Sequence, residues 1–402
     1  MEYVLMSDMV KNNDVAIKTG PFGTQLKASE YVEHGTPVLN VRNLGFATVN
    51  TEKLEMVSDE TLERLSAHKL MTGDIVFGRK GAVERHAYIS EAENGWMQGS
   101  DCIRLRVLSD RINPRYLSYY FLTARHKAFM VSMCSHGTTM ASLNQKIIEK
   151  IVFPLPSREV QDRIVSILLS LDEKAWENQK INENLQQQVL ALYAKMFENT
   201  PNSEHRTCRA DEYFDISIGK TPPRKEPQWF SHDPNDVTWV SIADMGSCGT
   251  FISSSSEQLT PDAVKKHNIK IVPDNTVLLS FKLTVGRIAI TDGEMTTNEA
   301  IAHFKTDNKA INEYLYCYLK KFNYQTMGST SSIAVAVNSK IIKGMPFVVP
   351  TDSEIAEFHN LASPMFGLIK ANLKEANRLA NIRDSLLPKL MSGELDVTNL
   401  EI

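Results

Sequence analysis

The sequence predicts an α+β fold in which two similar globular modules are separated by a two-helix antiparallel coiled coil, an internal pseudo-twofold repeat. Three observations predict it. Residues 15–198 recur, element by element, at 216–392. Each copy closes on a segment with apolar residues at 4-3 spacing, the pattern of a helix that pairs with another helix. The offset between the copies drifts only in small steps, as expected when insertions collect in surface loops.

Taken in chain order, Val38-Leu39-Asn40-Val41-Arg42-Asn43 falls on Trp239-Val240-Ser241-Ile242-Ala243-Asp244 at an offset of 201, apolar on apolar. Ser58-Asp59-Glu60 and Thr260-Pro261-Asp262, at 202, both read as helix starts. Each has a capping hydroxyl followed by first-turn acids, and the second copy adds proline at the first helical position. At the same offset Gly73-Asp74-Ile75-Val76-Phe77-Gly78 meets Asn275-Thr276-Val277-Leu278-Leu279-Ser280, and Arg85–Ile89 meets Arg287–Thr291. These predict strands at 74–79 and 84–89 joined by a tight turn. Asn113-Pro114-Arg115-Tyr116-Leu117 meets Ile311-Asn312-Glu313-Tyr314-Leu315 at 198, with Asn113 as a helix cap and Pro114 in first position. Asn144-Gln145-Lys146-Ile147-Ile148 meets Asn338-Ser339-Lys340-Ile341-Ile342 at 194.

The closing segments carry the predicted coiled-coil seam. In the first it runs through Leu171, Ala175, Asn178, Asn182, Leu185, Val189, Leu192 and Met196. In the second it runs through Met365, Ile369, Asn372, Ala376, Leu379, Arg383, Leu386 and Leu390. Asn178 and Asn372 stand at the same point of the two stripes, where a lone polar residue fixes register at some cost in stability. Pro388 is expected to kink or end the second helix. Four heptads span roughly 40 Å at 1.5 Å per residue. That is slightly more than one turn of B-DNA, so antiparallel pairing suits a ruler between two half-sites on a duplex. Two ordinary amphipathic helices on separate cores are the plainer alternative.

A chain of 402 residues with 42% hydrophobic and 23% charged residues is an ordinary globular composition. No apolar run approaches the ~20 residues that span a bilayer. Met1-Glu2-Tyr3-Val4 gives no export leader, so a cytoplasmic protein is expected. The five cysteines, Cys102, Cys134, Cys208, Cys248 and Cys317, show no metal-site spacing and read as reduced thiols. A net charge of −4 counts against a free-standing nucleic-acid binder. Charge is uneven, however. Between Asp101 and Phe129, six cations (Arg104, Arg106, Arg111, Arg115, Arg125 and Lys127) face only two acids, and acids gather in the spacers and tail.

Catalytic patterns fail on inspection. Gly219-Lys220-Thr221 resembles the end of a phosphate-binding loop, but Phe214 stands where its first glycine belongs and Pro222-Pro223 block the following helix. Asn113-Pro114-Arg115-Tyr116 departs by one residue from an amino-methyltransferase motif and has no glycine-rich cofactor loop beside it. Pro273-Asp274 with Lys282 lacks the second acid of a nuclease centre, because Ser280 occupies its place. No histidine pair has zinc spacing, and no nucleophile elbow occurs.

What remains is recognition chemistry. Lys18-Thr19 and Lys220-Thr221 open the two copies on polar, basic loops. Arg79, Lys80 and Arg85 flank the predicted turn of the first copy, with Lys282 and Arg287 in matching places. Arginine on a loop can bond guanine through two donors, while lysine neutralises phosphate. His136, Thr138 and Thr139 in one loop, and Ser329, Thr330 and Ser331 in its counterpart, combine small hydroxyl side chains with glycine, which lets backbone approach a phosphate or base. Arg42, Asn43 and Arg224 complete the candidates. A solvated hairpin tip or a plain turn is the competing explanation for each.

Along nearly its whole length the chain resembles the specificity subunits of type I restriction-modification systems. The resemblance rests on the paired Gly-Asp-x-Val-Phe-like strands with basic turns, on Thr297-Asn298-Glu299-Ala300, and on Asn-x-Lys-Ile-Ile leading to Phe153-Pro154-Leu155-Pro156 and Phe347-Val348-Val349-Pro350. The stretch from Ile382 to Leu395 is similar to the distal conserved helix of that family. Departures are Ser100-Asp101-Cys102 opposite Asn298-Glu299-Ala300, and Leu283 where glycine is expected. The resemblance implies DNA target recognition domains at 1–156 and 206–350, a central spacer helix at 157–205, and a distal spacer helix with tail at 351–402. It implies a non-catalytic adaptor that binds double-stranded DNA, modification (methyltransferase) subunits and restriction (motor-nuclease) subunits. No cofactor would sit on this chain; S-adenosylmethionine, ATP and Mg are expected on the partners. The alternatives are a cytosolic two-module protein-binding scaffold, which the net charge favours, and the detached recognition half of a single-chain restriction-modification enzyme.

Overall fold

The computed structural model describes residues 2–21, 23, 25–134, 142–198, 205–282, 284–327 and 338–398. The chain forms two compact units, Met1–Lys174 with Leu379–Ile402, and Ala175–Arg378.

In the first unit, Val15–Thr19, Cys102–Val107, Ile75–Gly78 and His86–Tyr88 form an antiparallel sheet in that order. Both faces are covered, and its central strand Ile75–Gly78 is buried and free of polar side chains. Ile75, Phe77, Ile103 and Leu105 point into the main core beside Tyr116, Leu117 and Phe121 of the helix Pro114–Leu122. Val76, Ala87 and Cys102 point the other way, onto Leu39, Leu44 and Leu70. A smaller sheet, Tyr31–Val32, Glu55–Val57, Thr36–Leu39 and Met97–Gln98, ends on a parallel pairing of Val38 with Met97 and Leu39 with Gln98.

The second unit repeats this order. Asp215–Ile218, Ile301–Lys305, Val277–Ser280 and Ile288–Thr291 form the larger sheet, extended by Phe251–Ile252 as a parallel fifth strand. Phe230–Ser231, Gln258–Leu259, Val237–Val240 and Thr296–Thr297 form the smaller one, again closed by a parallel pair, Trp239 with Thr296 and Val240 with Thr297. The predicted helix starts are present. Ser58 and Thr260 accept from the amides of Thr61 and Ala263, each at 3.2 Å, and Asn113 accepts from Arg115 N at 2.8 Å. Asn144 and Asn338 likewise cap short helices through Ile147 N at 3.1 Å and Ile341 N at 3.0 Å. The predicted match at Ile311-Asn312 differs in detail: that helix has no side-chain cap, and Asn308 instead caps the short turn before it.

The closing helices are Arg158–Tyr193 and Asp352–Ser392. Within the first unit Asp172 meets Arg383 at 2.7 Å, and Arg163 donates to the carbonyls of Val397 and Thr398 at 3.1 and 2.6 Å. Within the second, Asn178 donates to Glu375 at 2.6 Å and Asn372 to Asn182 at 2.9 Å. In each unit, partners rise in number along the first helix as they fall along the second helix or the tail that follows it, which is antiparallel pairing. The two asparagines that match in the repeat therefore do not face each other; Asn372 faces Asn182, and Asn178 faces a glutamate. Asn178, Val189, Ile369 and Asn372 are buried, while Leu171, Ala175, Leu185, Leu192, Met365, Leu379 and Leu386 are half-buried. Pro388 does not end the distal helix, which runs on to Ser392. Pro388 is exposed, and Leu387, Leu390 and Met391 are buried in the core of the first unit, so packing holds the last turn.

Candidate nucleic-acid interface

Among the described residues, one end of the strands gathers the loops that open each copy with those that follow the central strands in each unit. In the first, Gly20 N donates to Cys102 O at 2.9 Å, Gly99 N to Leu39 O at 3.0 Å and Arg79 N to Asp101 O at 2.8 Å. Gln98 ties the link between two strands to Lys18 O at 2.9 Å, and Gln145 donates to the Thr19 hydroxyl at 3.2 Å. The approach is close enough to require glycine, since a Cβ on Gly20 would lie 2.0 Å from Gly99 O. The second unit builds the same cluster. Gly219 N donates to Ile301 O at 3.1 Å, Lys220 N to Thr297 O and Asn298 N to Val240 O at 2.9 Å each. A Cβ on Gly219 would lie 2.1 Å from the Thr297 hydroxyl.

The candidate side chains divide into three groups. Lys18, Arg79, Arg85 and Lys282 make no ion pair among the described residues; Arg85 lies over the half-exposed Phe46 ring at 5.6 Å, with Lys127 over the same ring at 4.5 Å. A second group is held by neighbours on the same surface. Arg42 meets Glu55 at 3.0 Å, Lys80 meets Asp101 at 3.6 Å and Arg224 meets Glu257 at 2.7 Å. Lys220 Nζ donates to His267 O at 2.6 Å, and Thr221 bonds to Glu299. Burial pushes the Glu299 carboxyl up, but the Thr221 hydrogen bond and the nearby Lys282 and Arg224 outweigh it and hold the group below its ordinary range.

The third group is structural and corrects the sequence reading. Asn43 is fully buried; its amide donates to Asn50 O and Glu52 O and its carbonyl accepts from Asn40 N, so its hydrogen bonds are spent within its own loop. Arg287 donates to Ile242 O at 2.6 Å and lies so close to Gly246 that a Cβ there would be 2.5 Å from the guanidinium. It braces the turn after Val240 and offers its charge inward. His136, Thr138, Thr139, Ser329, Thr330 and Ser331 lie outside the described residues. Sequence reasoning missed Glu55 and Glu257, although they correspond at an offset of 202, the register already set by Ser58 and Thr260.

Other polar groups are placed for support. His303 lies between Ser217 at 3.0 Å and Thr297 at 2.7 Å, but all three are buried, and burial pushes the imidazole down to about 3. It is a neutral core histidine without access to a substrate. Among the described residues no group of three His, Cys, Asp or Glu could hold a metal ion, and no helix is long and apolar enough to cross a membrane.

A family model described as the type I restriction modification DNA specificity domain matches twice, at residues 7–187 and 202–375. The MjaIX type I restriction enzyme specificity subunit of Methanocaldococcus jannaschii is 23% identical, covering 98% of this chain and 94% of that protein. The HindI specificity subunit of Haemophilus influenzae is 26% identical over 45% of this chain and 39% of its own length. The crystal structure of a type I restriction-modification S subunit from M. genitalium shares the fold, with a TM-score of 0.55 at 15% identity over 97% of this chain and 96% of that one.

Proposed function

The chain belongs to the type I restriction modification DNA specificity family, and on that premise we propose that it reads a two-part duplex sequence, one half through each module. It is the specificity subunit of a restriction-modification system and not itself an enzyme; DNA and the other subunits of that system are its partners. The finer assignment makes 1–156 and 206–350 the target recognition domains. The helices within 157–205 and 351–402 set the length of the unread gap and dock the modification subunits. Those subunits would supply S-adenosylmethionine chemistry, and restriction subunits would supply ATP- and Mg-dependent chemistry, in the cytoplasm.

The observation that carries this reading is the recurrence of one loop cluster in both units, each with cations that make no ion pair among the described residues. Lys18, Arg79 and Arg85 serve the first cluster and Lys282 the second. Such cations release counterions from phosphate, while the surrounding polar groups face base edges. A net charge of −4 means that the isolated chain gains little from this alone, so tight binding is expected of the assembled complex. The test is an exchange of residues 206–350 for those of another member of the family, followed by mapping of methylated adenines. One half of the methylated sequence should change and the other persist. Loss or replacement of both halves would overturn modular reading.

A further inference from the structure

A carboxylate recurs at one place in both modules while the arginine it holds changes its origin. Val57 pairs with Thr36 and Leu259 with Val237, which puts Glu55 and Glu257, each two residues earlier in its chain, in equivalent positions of the two small sheets. Glu55 holds Arg42, from the turn after the strand Thr36–Leu39. Glu257 holds Arg224, from the loop after the strand Asp215–Ile218. The residue matching Arg42 in the second module is Ala243, and the residue matching Arg224 in the first, counted from the turns at Ala28 and Pro227, is Gln25. Each module thus keeps one arginine against the same carboxylate, delivered from a different side.

Stability gives no sufficient reason for this. Side chains of Arg42 and Arg224 are 48% and 54% exposed, and pairs so open to water add little. What the contact does is aim a rigid fork. Arg224 Nη1 donates to both oxygens of Glu257, at 2.9 and 2.7 Å, and the guanidinium lies over Phe230 at 4.1 Å and Trp239 at 4.7 Å. Trp239 is itself fixed, its Nε1 donating to Lys220 O at 3.2 Å. In the first module Asn40 donates to the second oxygen of Glu55 at 2.7 Å and fixes the carboxylate instead. Nε and Nη2 of Arg224 make no hydrogen bond among the described residues, which leaves a planar edge with parallel donors. That edge matches the paired acceptors O6 and N7 of guanine in the major groove, and a guanidinium held by a carboxylate and a ring stack is already ordered for the contact.

We infer that Arg224 reads one guanine in the half-site of its own module, with Glu257 as its positioning residue; Arg42, whose Nη2 is already on Glu55, does not offer the same edge. The inference rests on the reading of the chain as a DNA specificity subunit. The test uses the full chain assembled with its modification subunits and a randomised duplex DNA library, sequenced after methylation. Arg224→Ala should relax preference for guanine at a single position of one half-site by about ten- to hundredfold. Arg224→Lys keeps the charge and loses the fork, so it should relax the same position. Glu257→Gln should relax that position by less, and the Arg→Lys and Glu→Gln variants keep the test open if an alanine variant fails to assemble. Unchanged preference in the arginine variants overturns the inference. So does a uniform loss of binding with preference intact and the salt dependence reduced by about one phosphate, because that marks a backbone contact. If the unaltered complex shows no sequence preference at all, the specificity-subunit reading itself fails, a result distinct from either.

Discussion

Beneath one strand order the two modules bury different chemistry. In the first, Asp74 is 1% exposed and takes both Arg106 Nε at 2.7 Å and Nη2 at 2.6 Å, while Arg104, also buried, lies 4.0 Å from it and donates to Lys69 O at 3.0 Å. In the second, the same three places hold Thr276, His303 and Lys305. There the imidazole bridges two hydroxyls and Lys305 leaves the interior to pair with Asp215. Inward polar groups demand partners, and all of these side chains find them among the described residues except at Arg104 Nε and Thr276 Oγ1. One module meets that with a buried ion network, the other with neutral hydrogen bonds and its charge at the surface. Divergence of this kind alters how each module responds to mutation and to acid without altering its topology.

The largest contrast should come from Asp74→Asn. It leaves the buried Arg104 and the half-buried Arg106 without their counter-charge, a class of change that costs about 3–5 kcal/mol. Thr276→Val, at the equivalent place, removes a buried hydroxyl oxygen with no hydrogen-bond partner among the described residues and should be nearly neutral. Hydrogen exchange on the full chain separates the two, because Asp74→Asn should deprotect the strands at 75–78 and 102–107 and spare those at 277–280 and 301–305. Equal losses in both units would break the comparison.

The repeat was legible because topology is carried by apolar register, and Val38 on Trp239 or Ile75 on Val277 is visible in one dimension. Caps were legible for the same local reason: Ser58, Thr260 and Asn113 act on amides two or three residues away. The site was less so. Arg85 and Arg287 look alike in sequence, yet one is exposed beside Phe46 and the other is spent on Ile242 O, 45 residues distant. Residue type shows that a cation is present, and only tertiary acceptors decide which way it faces. Pro388 failed as a helix stop because burial of its neighbours on the distal helix outweighs one missing backbone hydrogen bond.

Acid sharpens the contrast next. Burial pushes His86 and His126 in the first unit, and His303 in the second, down to about 3. In the unfolded chain a histidine titrates near 6.5, so between about 6.5 and 3 the unfolded state binds protons that the folded state refuses. Stability therefore falls as pH falls, by about 1.4 kcal/mol per pH unit for each histidine, or about 2 kcal/mol each at pH 5. With two such groups against one, the first unit should lose exchange protection at the higher pH. His303→Gln should flatten the acid slope of the second unit alone. An unchanged slope there would show that His303 is not held neutral.

The smallest effect should come from Lys305→Ala. Its partner Asp215 is 74% exposed, so the ammonium faces a carboxylate that water screens on most sides, and such pairs contribute about 0–1 kcal/mol. Hydrogen bonding to Lys305 holds the Asp215 carboxyl below its ordinary range, and removing the lysine should return it upward, measurable by carboxyl-detected NMR titration. Arg106→Ala, the matching change in the first unit, strips the buried Asp74 of its paired donors and should cost several times more. The ratio of these two losses in urea denaturation is the sharpest measure of what differs between the modules. A ratio near one would mean that the buried network of the first unit is solvated like a surface pair, and the contrast between the two interiors would not stand.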